Sequence, residues 1–387
     1  RRSVKYRMPR QDDMVQTGKR HDFWNRYRAG VTDQGVIVGV QMELAGLCGC
    51  TADLSEGIVD RAMFHADNAY YYPAARINGY RCKTNTVSNT AFRGFGGPKG
   101  MIAAESMMDD IARKVGRDPL DVRLDNLYAP GRDETPYGQK IEQHMLRDMM
   151  KKLADDADYR DRRNAIVAFN KENADLRKGL ALTPIKFGIS FTSTHLNQAG
   201  ALLHIYTDGS IHINHGGTEM GQGLHTKIAQ VVASTLGVSY ERVMVSSTRT
   251  DKVPNTSPTA ASAGTDLNGM AAQNAAEKIK RRLIEFVASD SGARSNEVTI
   301  ENDMVMVRGE PRSFDDVIKA AYMNRVQLSA TGFYKTPKIH FDKETGKGHP
   351  FFYFANGVAL SEVIVDGLTG EYRVSQVDIL HDVGNSI

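Results

Sequence analysis

Cysteine is scarce in this chain of 387 residues, with Cys48, Cys50 and Cys82 and no others. Three thiols make no disulfide framework of the secreted kind; they fit reduced, partly buried side chains in a cytoplasmic setting. The pair in Cys48-Gly49-Cys50 lacks the neighbouring thiols or imidazoles that a complete soft-metal site needs. No apolar run is long enough to span a membrane. A net charge of +3, from 49 basic and 46 acidic side chains, is too balanced for a broad nucleic-acid surface. Familiar signatures are missing as well. There is no G-x-x-x-x-G-K-[ST], no G-x-S-x-G elbow and no H-E-x-x-H pair, and the run from Gly216 to Gly223 lacks G-x-G-x-x-G spacing. The chain opens on Arg1-Arg2-Ser3 without an initiator Met or signal-peptide pattern, and it stops just after a strand-like run. A piece of a longer protein is therefore expected.

Glycine, in contrast, is plentiful, at 35 residues, and it is clustered. Ala91-Phe92-Arg93-Gly94-Phe95-Gly96-Gly97-Pro98 sets two rings and a guanidinium among glycines, then empties into a helix marked by Ala104, Met108, Ile111 and Val115. His215-Gly216-Gly217-Thr218-Glu219-Met220-Gly221-Gln222-Gly223 leads into a helix over 224–236. Asn255-Thr256-Ser257-Pro258-Thr259-Ala260-Ala261-Ser262-Ala263-Gly264 opens a third helix, with Ala272, Ala276, Ile279, Leu283 and Phe286 as its buried stripe. Each loop aims orphan backbone N–H groups and the positive end of a helix dipole at whatever it holds, a grammar suited to an anionic or strongly polar cofactor. Unrelated tight turns remain the alternative. His215 and His225 read as hydrogen-bonding structural residues, and Glu219 as a helix cap or a catalytic carboxylate.

Between these loops, strands are expected over 35–43, 185–191, 202–207 and 211–214, the last two joined by the hairpin signal Asp208-Gly209. A short helix over 58–66 places Ile58, Ala62 and His65 on one face with Arg61 beside them. Residues 118–179 are charged and helix-favouring. A helix over 315–323 and strands over 326–333, 351–365 and 372–380 follow. Strands and helices alternate without a regular βαβ rhythm, so the expected class is α+β.

The runs Lys83-Thr84-Asn85, Ser88 through Pro98, Lys186-Phe187-Gly188-Ile189-Ser190-Phe191-Thr192, Leu196 through Leu202, Gly216 through Lys227 and Pro254 through Ser262 resemble the molybdenum-binding portion of the xanthine dehydrogenase family, over essentially the whole chain. The resemblance implies two molybdenum-cofactor-binding subdomains, each incomplete: residues 1–130, a helical connector over 131–180, and 181–387. It implies molybdenum–molybdopterin held between them, purine hydroxylation with oxygen from water, and 2Fe-2S clusters and FAD on other domains or subunits of a dimeric assembly. Carried over residue by residue, Phe95 and Phe191 hold the flat purine, with Thr192, Ala260 and Ala261 also at the substrate. Arg61 faces the substrate and stabilises charge developing on the heterocycle. Arg93 and Ala261 lie close to the molybdenum without ligating it, and Gly94, Met220, Gln222 and Ser262 join them around the pterin. Arg61 favours purines over aldehydes. The glutamate base belongs to a Gly-Glu-Pro-Pro run that these residues do not contain. Glu310, in Gly309-Glu310-Pro311-Arg312, has the wrong setting for it, and the chain alone is expected to be inactive. Two other readings are an oxidase of aldehydes or other N-heterocycles, and a metal-free scaffold.

Overall fold

The computed structural model describes residues 2–386, and the chain divides into two compact units. The first runs to Gly188 and takes back Phe341–His349 and Tyr353–Gly384. It begins with the short helix α1 (Arg10–Gln16), followed by β1 (Phe23–Val31) and β2 (Ile37–Gly49). These strands pair antiparallel, and α2 (Ser55–Phe64) carries the chain to β3 (Ala75–Lys83), which pairs parallel with β2. Alternation explains β2, whose Val40, Met42, Leu44 and Cys48 all turn inward. Helix α3 (Gly97–Val115) buries Ala103, Ala104, Met107, Met108 and Ile111, ends on left-handed Gly116, and is followed by α4 (Pro119–Asn126), capped by the Asp118 carboxylate on the Leu120 amide.

Helices α5 (Leu146–Asp156) and α6 (Tyr159–Glu172) then lead into β4 (Leu176–Ile189). The stretch 131–180, read from sequence as a connector, contributes Met150, Leu153 and Tyr159 to the core of this unit.

The second unit, mainly Ile189–His340, is built on a sheet ordered β11-β5-β6-β7. Its strands are β5 (Gln198–Ile205), β6 (Ile211–His215), β7 (Val243–Val245) and β11 (Ser329–Lys335). The Asp208-Gly209 turn joins β5 to β6 in an antiparallel hairpin, as its sequence requires. Two helices, α7 (Leu224–Leu236) and α8 (Gly264–Ser291), pack together, and α8 lies along β5 and β11. The buried stripe of α8 runs through Ala272, Ala276, Ile279 and Leu283 to Val287; Phe286, expected in it, is only half-buried because it stands one residue off that face. A small sheet of β8 (Val298–Glu301), β9 (Met304–Val307) and β10 (Glu310–Ser313) precedes α9 (Phe314–Met323).

Short strands β12 (His340–Asp342) and β13 (Lys347–His349) pair with each other, and β14 (Tyr353–Asp366) with β15 (Tyr372–His381) forms a long hairpin. That hairpin completes the sheet β15-β14-β4 in the first unit, so among the described residues no strand lies beside the other edge of β4. Among the described residues, no helix is long and apolar enough to cross a membrane.

Candidate functional site

Side chains of residues 61–68 stand where a neighbouring strand would be, along the open edge of β4. Asn68 donates to Pro184 O (2.8 Å) and accepts from Lys186 N (3.2 Å). Lys186 Nζ meets Asp67 Oδ2 at 3.2 Å, and Gly188 N donates to His65 Nε2 (3.1 Å). Finally, Arg61 Nη2 donates to Gly188 O. Residues 184, 186 and 188 alternate along the strand, so all these backbone groups point to one edge. Arg61, deep in this array and only 4% exposed, also lies over the Phe187 ring, its guanidinium carbon 4.9 Å from the centroid. Burial lowers its pKa to about 9, opposed by Tyr137, so it stays cationic at neutral pH.

The glycine-rich loop before α3 is laid against the same face of α2. Phe95 sits on Gly57, where a Cβ would come within 3.1 Å of its ring, and Gly96 lies against Ile58, Arg61 and Ala62. A Cβ on Gly96 would fall on the Ile58 carbonyl oxygen, so this approach of backbone to backbone demands glycine. Phe95 itself holds φ +56°, a conformation that costs a non-glycine residue roughly 1–2 kcal/mol and tends to mark functional loops. Arg61 and Phe95 are thus brought to one helix face. Arg93 projects into solvent from the same loop while its carbonyl accepts from Arg20 Nη2 at 2.7 Å. Lys99, which sequence reasoning passed over, is buried beneath the loop and donates to Phe95 O; burial, with Arg20 near by, pulls its pKa down to about 8.

In the second unit the remaining candidates fall on three segments tied by hydrogen bonds. Phe191 is fixed at both backbone atoms by Asn197, whose Oδ1 accepts from Phe191 N (2.8 Å) and whose Nδ2 donates to Phe191 O (2.9 Å). Thr192 follows it, half-buried. Ser257 Oγ donates to Leu196 O, joining this segment to the 255–262 loop. Thr218 N in turn donates to Thr259 Oγ1 at 2.8 Å, joining that loop to the one over 216–223. Ala261 and the exposed Ser262 both adopt φ +56°, consecutive strained residues immediately before α8.

Glu219 proves to be a cap. Its carboxylate accepts from the amides of Gly221 (2.8 Å), Gly223 (3.0 Å) and His225 (3.1 Å), and these bonds, that to His225 foremost, lower its pKa to about 2. Gln222 spends its amide within the loop, accepting from Met220 N and donating to Thr218 O. Met220 is left largely exposed. His215 Nδ1 accepts from Gly217 N (3.0 Å), and burial, with His225 beside it, depresses its pKa to about 4. It is a structural base, as its position suggested.

These loops suit a polar, anionic group of the kind the resemblance implies. The N-terminus of α7 is filled by the chain's own Glu219, whereas the N-cap of α8, Ala263, makes no side-chain bond to its first amides. Beside them His215 Nε2 and Asn268 Oδ1 are buried without a partner. Gly221 and Gly223 border open space. Glu310, by contrast, is exposed on β10 in a hairpin opposite Val307. No cluster of three or more His, Cys, Asp or Glu side chains that could hold a metal ion occurs among the described residues.

Comparison with known proteins follows the same lines. Models of the molybdopterin cofactor-binding domain match residues 1–127 and 152–387. The xanthine dehydrogenase/oxidase of Gallus gallus is 46% identical over 386 residues, covering 100% of this chain and 27% of the relative. The xanthine dehydrogenase of Oryza sativa subsp. japonica is 43% identical over 387 residues, with the same coverage. The chain thus spans about a quarter of the length of these curated relatives. Quinoline 2-oxidoreductase from Pseudomonas putida 86 superposes with a TM-score of 0.83 at 21% identity, covering 97% of this chain and 49% of that one, a likeness of fold alone.

Proposed function

The chain belongs to the family of molybdopterin cofactor-binding domains, and on that premise we propose that it forms part of a molybdenum hydroxylase acting on purines, working with iron–sulfur and FAD partners. The reaction takes hypoxanthine to xanthine and xanthine to urate. Each turnover replaces a ring C–H by C–OH with oxygen from water, releasing two protons and two electrons that leave through the partners. Molybdenum–molybdopterin, when bound, would supply the oxygen-transfer and two-electron redox chemistry.

Arg61 carries the reading. Negative charge builds on the heterocycle as oxygen adds, and a guanidinium already held by Gly188 and Phe187 can meet that charge without reorganising. In this reading Phe95 and Phe191 hold the ring by edge and face contact, Asn197 sets the backbone of the second, and Thr192, Ala260 and Ala261 line the substrate. Arg93, Gly94, Met220, Gln222, Ala261 and Ser262 meet the cofactor. Proton abstraction in this reading falls to a glutamate outside these residues, since Glu310 is exposed on β10 in a hairpin opposite Val307.

The test compares hypoxanthine with an aromatic aldehyde in the complete enzyme, with and without Arg61→Met. Loss of one preorganised charge-stabilising donor lowers purine kcat/KM about 100-fold or more, and aldehyde turnover falls far less. Equal losses on both substrates favour the aldehyde or N-heterocycle alternative. Absence of molybdenum and pterin from the purified complete protein leaves only the scaffold reading.

A further inference from the structure

We propose that His65 is a positioning residue for Arg61, its imidazole closing a ring of three hydrogen bonds that fixes where the guanidinium stands. The proposal rests on the reading of Arg61 as the residue facing substrate. Starting from Arg61, Nη2 donates to Gly188 O, Gly188 N donates to His65 Nε2 (3.1 Å), and His65 Nδ1 lies 2.9 Å from Arg61 O. The circuit returns to the residue where it began.

Its directions are forced. An amide nitrogen only donates, so Nε2 carries the lone pair; a carbonyl only accepts, so Nδ1 carries the hydrogen. One form of the side chain, the neutral Nδ1–H tautomer, satisfies both contacts. A protonated ring would turn a hydrogen against the Gly188 amide. Burial is complete, with 0% of the residue exposed, and together with the nearby charges of Arg61 and Lys186 it holds the pKa well below the usual histidine value.

The bond to the Arg61 carbonyl alone would be an ordinary link across one helical turn at the end of α2. Gly188, however, is 123 residues away, and it presents its amide to His65 and its carbonyl to Arg61. Rotation of the Gly188 peptide groups would move the acceptor that sets the guanidinium. Phe187 completes the brace, with its ring centroid 4.9 Å from that of His65 and 4.9 Å from the Arg61 guanidinium carbon. A side chain outside the catalytic set therefore governs the placement of one inside it.

A double-mutant cycle on the complete, cofactor-loaded enzyme tests this, with hypoxanthine as substrate and Arg61→Met, His65→Phe and the double variant compared. His65→Phe keeps the ring volume and removes both bonds. We expect it to lower kcat/KM about tenfold or more, mostly through kcat, and to cost less than about twofold further in the Arg61→Met background. His65→Gln, which can place an amide oxygen near the Nε2 position, restores much of the loss. Hydrogen exchange at the Gly188 amide supplies a reading apart from turnover: faster in His65→Phe, near wild type in His65→Gln. Losses that multiply in the double variant, or unchanged Gly188 protection in His65→Phe, overturn the proposal. If Arg61→Met leaves purine turnover intact, the assignment of Arg61 fails instead, and exchange at Gly188 still decides whether His65 braces the strand.

Discussion

Replacing Lys186 by Met tests the buried array along β4 where it is most sensitive. Its ammonium and the Asp67 carboxylate are 2% and 1% exposed, with Nζ and Oδ2 3.2 Å apart. At an effective dielectric of about 20, that separation corresponds to roughly 5 kcal/mol of attraction, offset in the native protein by the cost of removing both charges from water. Nζ also lies 4.4 Å from the Phe354 ring centroid and 5.4 Å from that of Tyr128. Methionine fills much the same volume and keeps the ring contacts, but takes the ammonium from Asp67, whose carboxylate keeps the neutral Tyr128 hydroxyl at 2.6 Å as a donor. Stranding a buried charge costs about 3–5 kcal/mol, which for a unit of this size lowers its midpoint by roughly 6–20 °C. The chain has a single tryptophan, Trp24, in β1 of the same unit, so its fluorescence follows that unit through thermal unfolding. Adding Asp67→Asn removes the stranded charge, and the double variant recovers to within about 2 kcal/mol of the parent. Burial already raises the pKa of Asp67, and losing the ammonium raises it further. In Lys186→Met a folded-state pKa above the unfolded 3.8 makes the deficit largest at high pH, closing as pH falls towards 3.8. A single variant within about 1 kcal/mol of the parent, or a double variant as unstable as the single, would refute the reasoning.

Two further outcomes are expected. His215 titrates near 6.5 when unfolded and about 4 when folded, so its contribution is complete above pH 6.5 and is lost as pH falls to 4. From this group the second unit should lose about 3 kcal/mol over that window, seen as faster hydrogen exchange in β5 and β6. His215→Asn, whose amide oxygen can still accept from Gly217 N, should remove that share and leave only the dependence due to His212, whose pKa burial also lowers. Gly96→Ala places a methyl group on the Ile58 carbonyl and 2.9 Å from Arg61 Cβ. That change should destabilise the first unit by about 3 kcal/mol or more in denaturant titration.

Local signals were legible because local physics makes them. The glycine loops entering α3, α7 and α8 and the hairpin at Asp208-Gly209 depend on a few neighbouring residues. Strands β1 and β3 were not legible. The arginines of β1 occupy its outer face, and β3 presents few apolar side chains and is held by parallel pairing with β2. Only the last part of β4 was read, since its start is charged and joins the sheet through β14, far along the chain. His65 was visible as one face of a helix, but nothing near it in sequence announces Gly188. Asn197 stood among the residues carrying the family resemblance without a role, because its bonds to Phe191 depend on the turn between them.

An edge strand with bare amides and carbonyls is a template for another chain to join. Along β4 those groups are met by Arg61, His65 and Asn68 instead, at Pro184, Lys186 and Gly188. Truncating these side chains therefore does two things at once: it loosens the guanidinium and uncovers a sticky edge. Variants at these positions should be soluble in poorer yield as well as slower, and selection for solubility alone would tend to keep the residues that place Arg61.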